Sequence, residues 1–304
     1  MSNTENTLDS VIKVEELQVK YKGFCLNVPN LRVPKGFATA LIGENGAGKT
    51  TLLNVMAGIK LKYKGFVTYF EKYKDGDRDK EEYGVRENIG YAGGDGYFLP
   101  HWNAKRISEI SEVLFENFDS KKFEQLCNEL ALDGEGSKKS IKKLSDGNRM
   151  KLMLAAVWAR QTKCLILDEP ASPLDPLMRD KLCAMIRDYL YEQEGEKSVI
   201  FSTHNISDME NVTDYAVFIE QGEVVEQGFV EDLKEKYILV KGDTKDVEGA
   251  RGVLFSIDEN KMGFEGICLA ERLNELAGLN LSYETPTLFQ ISVAIMKKYS
   301  KIKV

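Results

Sequence analysis

The feature that most constrains this chain is a glycine-rich octapeptide between a predicted strand and a predicted helix. Residues 37–42 form a continuous apolar run that is typical of a buried strand, and residues 50–57 have helical spacing closed by Gly58. The octapeptide at 43–50 has the sequence GENGAGKT and fits the pattern G-x-x-x-x-G-K-[ST]. This order of elements predicts an α/β fold.

The residue types of the octapeptide suit the binding of a triphosphate. Glycines let successive backbone N–H groups turn inward around phosphate oxygens, and the start of the following helix adds its positive dipole end. Lys49 would place a full charge near the β- and γ-phosphates, and Thr50 would offer a hydroxyl to Mg²⁺. The alternative is a glycine-rich turn that matches by accident, which the flanking strand and helix disfavour.

A second candidate site element is the acidic pair Asp168 and Glu169, which directly follows the apolar run 164–167. A buried parallel strand delivers side chains from its carboxyl end into the nucleotide crevice. Asp168 would hold Mg²⁺ through its water shell, and Glu169 would polarise the water that attacks the γ-phosphate. The alternative is two solvated acids capping a strand. The upstream glycine loop favours the catalytic interpretation.

Composition excludes several classes of function. The 304 residues include 41 basic and 48 acidic side chains, a net charge of −7 that argues against nucleic acid as the main partner. No apolar run approaches the roughly 18–20 residues of a membrane-spanning helix, and the start of the chain lacks the basic residues of a secretory signal. The five scattered cysteines predict reduced core thiols of a cytosolic protein.

The rest of the chain alternates between predicted strands and helices. An antiparallel β region spans 13–33 with turns at 21–23 and 28–30, a strand follows at 65–70, and helical spacing covers 105–132. Further helices are predicted at 149–160 and 207–211, and strands at 198–202, 215–219 and 223–225. From Phe229 the alternation fades into an appended segment.

On these motifs the chain resembles the ATP-binding subunits of ABC transporters over about residues 13–228. Residues 144–148, with the sequence LSDGN, are similar to the family's L-S-G-G-Q signature, and residues 202–204, STH, match its H-loop. The resemblance implies a P-loop NTPase core, a mostly parallel sheet with flanking helices, joined to an antiparallel β subdomain. It further implies an ATP-binding domain at 1–228 with a helical insert at about 95–150, and a C-terminal α/β extension at 229–304.

The resemblance also assigns site residues. Tyr21 would stack on adenine, His204 would touch the γ-phosphate, and the glutamine that usually contacts Mg²⁺ is replaced, its place falling on Gly94 beside Asp95. The alternatives are that Tyr21 is a core aromatic, that His204 is a structural histidine and that Ser145 is a plain helix cap. The implied nucleotide contacts are Tyr21, Gly43, Glu44, Asn45, Gly46, Ala47, Gly48, Lys49, Thr50, Thr51, Ser145, Gly147, Asn148 and Asp175; the implied metal ligands are Thr50, Asp168 and Asp95; and the implied catalytic residues are Glu169, His204 and Lys49.

In mechanism, the resemblance implies two such domains head to tail, as a homodimer or a heterodimer, with ATP and Mg²⁺ clamped between one glycine loop and the other copy's segment 145–147. The chain would lie on the inner face of the cell membrane, held by a separate multi-span permease. The segment 285–291 resembles that of exporters, with a peptide, an antibiotic or a lipid-linked molecule as cargo. The apolar residues Tyr97, Phe98, Leu99 and Trp102 would line the permease docking groove, or equally pack in the core.

Three rival interpretations compete with this one. Ribosome-remodelling ABC ATPases typically carry two ATP domains in tandem, and this chain has one glycine loop. DNA-repair ATPases of the superfamily contain a long coiled coil, and no sustained heptad pattern occurs here. A regulatory subunit that binds nucleotide but hydrolyses it weakly stays open, because Asp146, Asn148 and Gly94 depart from the family pattern.

Overall fold

A computed structural model describes residues 9–71, 73–74, 81–93, 98–132 and 139–299. The larger of its two sheets has ten strands in the order β5-β4-β1-β2-β10-β9-β3-β8-β7-β6. The strands are β1 Ser10–Tyr21, β2 Phe24–Pro34, β3 Ala38–Ile42, β4 Lys64–Tyr69, β5 Tyr73–Lys74, β6 Ile89–Ala92, β7 Cys164–Leu167, β8 Ser198–Thr203, β9 Tyr215–Glu220 and β10 Glu223–Phe229. The five strands from β9 to β6 run parallel, whereas each neighbouring pair in the order β5-β4-β1-β2 is antiparallel. The predicted α/β fold with an antiparallel β part is therefore confirmed.

Helices cover both faces of the parallel strands. They are α1 Lys49–Met56, α2 Glu81–Asn88, α3 Ala104–Leu114, α4 Ser120–Glu129, α5 Asp146–Trp158, α6 Pro176–Tyr191, α7 Val230–Lys236, α8 Val247–Ala250 and α9 Leu288–Tyr299. All four residues of β7 are buried, and they alternate between two core clusters: Leu165 and Leu167 pack with α5, whereas Cys164 and Ile166 pack with α1. A strand buried on both faces explains the uninterrupted apolar run.

Three local predictions need correction. The turn expected at 28–30 lies inside β2, whose pairing with β1 continues from Asn30 to Val28. The proline there is tolerated because β1 is itself irregular at Glu16, which has a φ of 51°. The helix expected at 207–211 is instead two short 3₁₀ turns, Ile206–Asp208 and Glu210–Val212. Cys25 is exposed rather than part of the core, whereas the other four cysteines are buried.

The helical spacing of 105–132 is resolved into two helices. Phe115 ends α3 in an extended conformation, and the Asp119 side chain caps α4 by accepting a hydrogen bond from the Lys122 N–H at 3.0 Å. Ile107, Phe123, Leu126 and Leu130 of this stretch are buried, as is Ser111, whereas Leu114 is 60% exposed. None of the helices within the described ranges is both long and apolar enough to cross a bilayer.

The C-terminal part of the chain forms a second, antiparallel sheet with its own small core. Its strands β11 Tyr237–Gly242, β12 Ser256–Asn260, β13 Gly263–Leu269 and β14 Leu281–Glu284 are ordered β12-β13-β11-β14. Helix α9 then returns to the larger unit, where its apolar face is buried in the main core. The Glu210 carboxylate accepts hydrogen bonds from the N–H groups of Leu288 (2.7 Å) and Phe289 (3.3 Å), which anchors the start of this helix.

Candidate functional site

The glycine loop connects β3 to α1 in a backbone conformation that side chains would obstruct. Gly46 and Gly48 have φ values of 87° and 110°, in the left-handed region that favours glycine. A Cβ on Gly43 would lie 2.0 Å from the carbonyl oxygen of Ile219. The glycines of the motif are thus required by this loop's geometry, so a chance match of the pattern is the weaker explanation.

The side chain of Lys49 turns back into the glycine loop that precedes it. Its side chain is 6% exposed, and Nζ donates to the carbonyl oxygens of Gly43 (2.8 Å) and Glu44 (3.1 Å). The same Nζ is 3.5 Å from Oε1 of Glu169. One ammonium group therefore joins the glycine loop to the acid that follows β7.

Asp168 and Thr50 meet at the carboxyl edge of the sheet. The Thr50 hydroxyl donates to Asp168 Oδ2 at 2.7 Å, and the Ser202 hydroxyl donates to Asp168 Oδ1 at 2.5 Å. Asp168 is 6% exposed, so these two hydroxyls take the place of the water that would otherwise solvate its carboxylate. A hydroxyl and a carboxylate converging in this way form the hard-oxygen donor set that Mg²⁺ prefers.

Glu169 adopts a left-handed backbone conformation, with φ of 49°, that is uncommon for a non-glycine residue. Its Oε2 lies 2.8 Å from Nδ1 of His204 and accepts a hydrogen bond from the Ser172 hydroxyl at 3.1 Å. The side chain is about a quarter exposed, so it remains accessible from solvent. Strained residues held by surrounding contacts cluster at functional sites.

Ser202 is a site residue to which sequence reasoning assigned no role. Its hydroxyl accepts a hydrogen bond from the Glu169 N–H at 2.9 Å while donating to Asp168, so one buried group orients both acids. A hydroxyl residue two positions before His204 on a predicted parallel strand was the available signal.

We predict that Ser202→Ala lowers the ATP hydrolysis implied by the motifs by about tenfold and the free energy of unfolding by about 2 kcal/mol, because the Asp168 carboxylate and the Glu169 N–H each lose a hydrogen bond to a buried hydroxyl. ATP affinity should change by less than about threefold, since the contacts of Lys49 are kept. Steady-state hydrolysis and thermal unfolding would test this. The matched control is Ser198→Ala on the same strand, whose hydroxyl accepts from the Gly36 N–H at 2.9 Å. It should lose stability but keep turnover; equal turnover in both variants would contradict the role of Ser202.

The segment that resembles the signature lies at the start of α5. The Ser145 hydroxyl accepts a hydrogen bond from the Asn148 N–H at 3.3 Å, so it does cap the helix, and Ser145 is exposed. A Cβ on Gly147 would lie 2.8 Å from the carbonyl oxygen of Pro173, which accounts for a glycine there. Asp175 similarly caps α6 by accepting from the Met178 N–H at 3.1 Å. Neither segment has a described hydrogen bond to the glycine loop of its own chain.

Tyr21 ends β1 and is 49% exposed, so it is not a core residue. Lys60 Nζ lies 4.6 Å above its ring. A hydrogen bond from Lys60, together with one involving Thr51, holds the pKa of the Tyr21 phenol below its ordinary value. The exposed ring therefore lies beside α1 immediately after the glycine loop. Gly94, Asp95 and Tyr97 lie outside the described residues.

Phe98 and Trp102 pack against each other with ring centroids 6.3 Å apart, and Phe98 is buried. Leu99 is 48% exposed. We name as the insert groove a cavity of about 300 Å³ that Phe98 lines together with Pro100, Ile141, Lys142, Arg149, Leu152 and Met153. Phe98 therefore both packs in the core and lines the insert groove.

Glu220, at the end of β9, is a second residue that the motifs did not reveal. It is 4% exposed, and its Oε1 accepts a hydrogen bond from the Glu44 N–H at 3.2 Å. Burial raises the pKa of Glu220 to about 7, and the nearby charge of Glu44 adds to this effect, whereas that hydrogen bond and Lys49 oppose it. A raised pKa means that the folded chain binds this proton more tightly than the unfolded chain does. The stability that this group contributes is therefore complete below its ordinary pKa of 4.5 and lost as pH rises through about 7.

We predict that Glu220→Gln removes the loss of stability at high pH. The glutamine side chain keeps an oxygen that can accept from the Glu44 N–H. The free energy of unfolding of the variant, minus that of the unsubstituted chain, should rise by about 1–2 kcal/mol between pH 5 and pH 8. Chemical denaturation at pH 5, 6.5 and 8 measures it. The exposed Glu223→Gln on the same hairpin should show no such trend, and parallel pH profiles of Glu220→Gln and the unsubstituted chain would exclude the role assigned to Glu220.

The chain is similar to known ATP-binding proteins of transporters. A family model described as ABC transporter matches residues 26–172. The lantibiotic transport ATP-binding protein SrtF of Streptococcus pyogenes is 30% identical over 218 residues, covering 71% of this chain and 89% of SrtF. The tungstate uptake system ATP-binding protein TupC of Peptoclostridium acidaminophilum is 31% identical over 226 residues, covering 71% and 97%. A dimeric ATP-binding cassette in a post-hydrolysis state with ADP and Pi superposes with a TM-score of 0.62 at 21% identity, covering 72% of this chain and 98% of the cassette.

Proposed function

Because this chain belongs to the family of ABC transporter ATP-binding proteins and is an ATPase, we propose that it is the motor subunit of a transporter whose membrane path is a separate polypeptide. The observation that supports this most is a connected set of contacts of 2.5–3.5 Å, in which Ser202 joins the Thr50–Asp168 pair to Glu169, and Glu169 contacts Lys49 and His204. The test is to measure Mg²⁺-dependent ATP binding and hydrolysis by the purified chain, alone and with its membrane partner. Absence of nucleotide affinity at millimolar ATP would refute the proposal.

We assign the site residues as follows. The loop 43–51 would bind the phosphates through its N–H groups and Lys49, and Tyr21 would stack on the adenine. Thr50 and Asp168 would hold Mg²⁺, which neutralises the developing phosphate charge, with Asp95 as a further candidate ligand. Glu169 would accept a proton from the attacking water, and His204, bonded to that carboxylate, would orient the pair.

We propose that the active form pairs two ATP-binding chains, identical or related. Ser145, Gly147 and Asn148 of one copy would meet the triphosphate on the glycine loop of the other, with Asp175 at the same junction. The exposure of Ser145 and the positive end of α5 support this assignment. A shared anion would join the two copies, and hydrolysis would release them.

The membrane partner, the cytoplasmic location and the direction of transport are proposals as well. We propose that the chain binds the inner face of the membrane through a permease seated in the insert groove, and that the complex exports a peptide, an antibiotic or a lipid-linked molecule. One relative is named for lantibiotic transport and another for tungstate uptake, so direction needs its own experiment. ATP-driven accumulation of cargo in inside-out vesicles would support export.

We further propose that residues 1–228 form the ATP-binding domain, with the helical insert at about 95–150, and that 229–304 form its extension. The separate sheet and core of β11 to β14 support this division, with α9 as the anchor between the two. The rival function is a regulatory subunit of weak activity, favoured by Asp146 in the signature. A purified chain that binds ATP with normal affinity but does not hydrolyse it, even with its permease, would favour that rival.

A further inference from the structure

A cavity of about 380 Å³ separates the acid pair from the helical insert. We name it the acid-pair cavity. Thr50, Asp168 and Glu169 line it on the side of the sheet, and Asp146, Arg149 and Met153 line it on the side of α5. The cavity thus lies between the residues assigned to Mg²⁺ and catalysis and the start of a helix from another part of the chain.

Arg149 is the one cationic side chain among the described residues that line the acid-pair cavity, where three carboxylates are present. Its Nε atom is buried and has no hydrogen-bond partner within the described part of the chain. Its Nη1 is 3.4 Å from Asp146 Oδ1, at the long end of an ion pair with a carboxylate that is 83% exposed. An exposed pair of this kind contributes little energy, so Asp146 holds the guanidinium only weakly.

A guanidinium in this position is suited to bind a carboxylate or a phosphate. Its planar set of N–H donors matches a carboxylate or a phosphate with two parallel hydrogen bonds, and it stays charged throughout the physiological pH range. Rotation of the Arg149 side chain away from the exposed carboxylate of Asp146 would turn the guanidinium into the cavity that Asp168 and Glu169 also line. Two carboxylates, those of Asp168 and Glu169, line that side of the cavity, against the single exposed carboxylate of Asp146.

Resting on the proposed function, we infer that Arg149 is a positioning residue for the ATP site of its own chain. Its guanidinium orients Glu169 and the γ-phosphate, and Asp146 competes for it. Arg149 also lines the insert groove, so its orientation links that groove to the acid pair. Asp146, which departs from the glycine of the family pattern, thereby gains a role as the group that restrains Arg149.

The first test compares Arg149→Gln with Asp146→Asn in the full-length chain. We expect Arg149→Gln to lower kcat by about 10- to 100-fold, with the Kd of Mg²⁺-ATP changed by less than about threefold. Asp146→Asn should instead raise kcat by about two- to threefold, because it releases the guanidinium. A purely structural ion pair would make both variants slower, and this result would overturn the inference.

The second test is chemical rescue. Arg149→Ala should regain turnover when methylguanidinium is added at a concentration that does not unfold the chain, and Arg149→Lys should be intermediate. Lys151→Gln, on the same helix and not among the described residues lining the cavity, controls for loss of surface charge, and matched sodium chloride controls for salt.

The two tests separate this inference from the proposed function on which it rests. Turnover of Arg149→Gln within twofold of the unsubstituted chain, with ATP bound normally, would exclude the positioning role alone. Failure of the unsubstituted chain to bind Mg²⁺-ATP would instead refute the proposed function.

Discussion

Glu169→Gln is expected to leave Mg²⁺-dependent ATP binding intact and to lower turnover by about 10²- to 10⁴-fold. Glutamine keeps an oxygen that can accept from Ser172, whose hydroxyl lies 3.1 Å from Glu169 Oε2, but it has no carboxylate to take a proton from water. With hydrolysis blocked, the shared triphosphate should persist and hold two chains together. Steady-state hydrolysis, equilibrium ATP binding and light scattering of the ATP-bound protein measure the three effects.

The control for this prediction is Glu196→Gln, a surface carboxylate paired with Lys35 at 2.7 Å and remote in sequence from the acid pair. It should retain normal turnover and show no trapped dimer. Ordinary turnover in Glu169→Gln would mean that another group activates the water, and would remove Glu169 from its assigned role.

Lys49→Met is expected to weaken binding of Mg²⁺-ATP by roughly 10²- to 10³-fold, since a unit charge about 4 Å from a phosphate contributes on the order of 4 kcal/mol at the effective dielectric of a protein surface. Methionine has a similar length and no charge, so the change isolates the electrostatic contribution. It also removes the donors to the carbonyls of Gly43 and Glu44. Titration calorimetry with ATP and magnesium gives the affinity.

The folded state of Lys49→Met must be verified by thermal unfolding, because Lys49 is buried and stabilises the loop even without a nucleotide contact. Lys35→Met, which removes only an ion pair to Glu196, should bind ATP normally. A folded Lys49→Met that binds ATP as tightly as the unsubstituted chain would contradict the assignment of the glycine loop as the phosphate site.

Much of the candidate site could be predicted because each of its parts is a short, contiguous stretch of sequence. The loop 43–50, the pair Asp168 and Glu169, and His204 each follow an apolar run, and the carboxyl ends of parallel strands meet at one edge. Ser202 and Glu220 were not assigned roles, because their importance depends on partners that are 33 and 176 residues away along the chain, Glu169 and Glu44. A local pattern, such as a hydroxyl residue two positions before His204, can mark a candidate residue but does not show which distant residue it contacts.

The sequence by itself determined the class of fold, the positions of the glycine loop and the acid pair, and the family, because glycine spacing and apolar periodicity are local consequences of backbone geometry. Only the tertiary structure decided how these parts are joined. It placed the Lys49 ammonium between the loop carbonyls and Glu169, and it placed one buried hydroxyl between both acids. It also put Arg149 on the wall of two cavities. Such contacts arise when distant segments pack, and their energies depend on burial and distance, which a linear sequence does not contain.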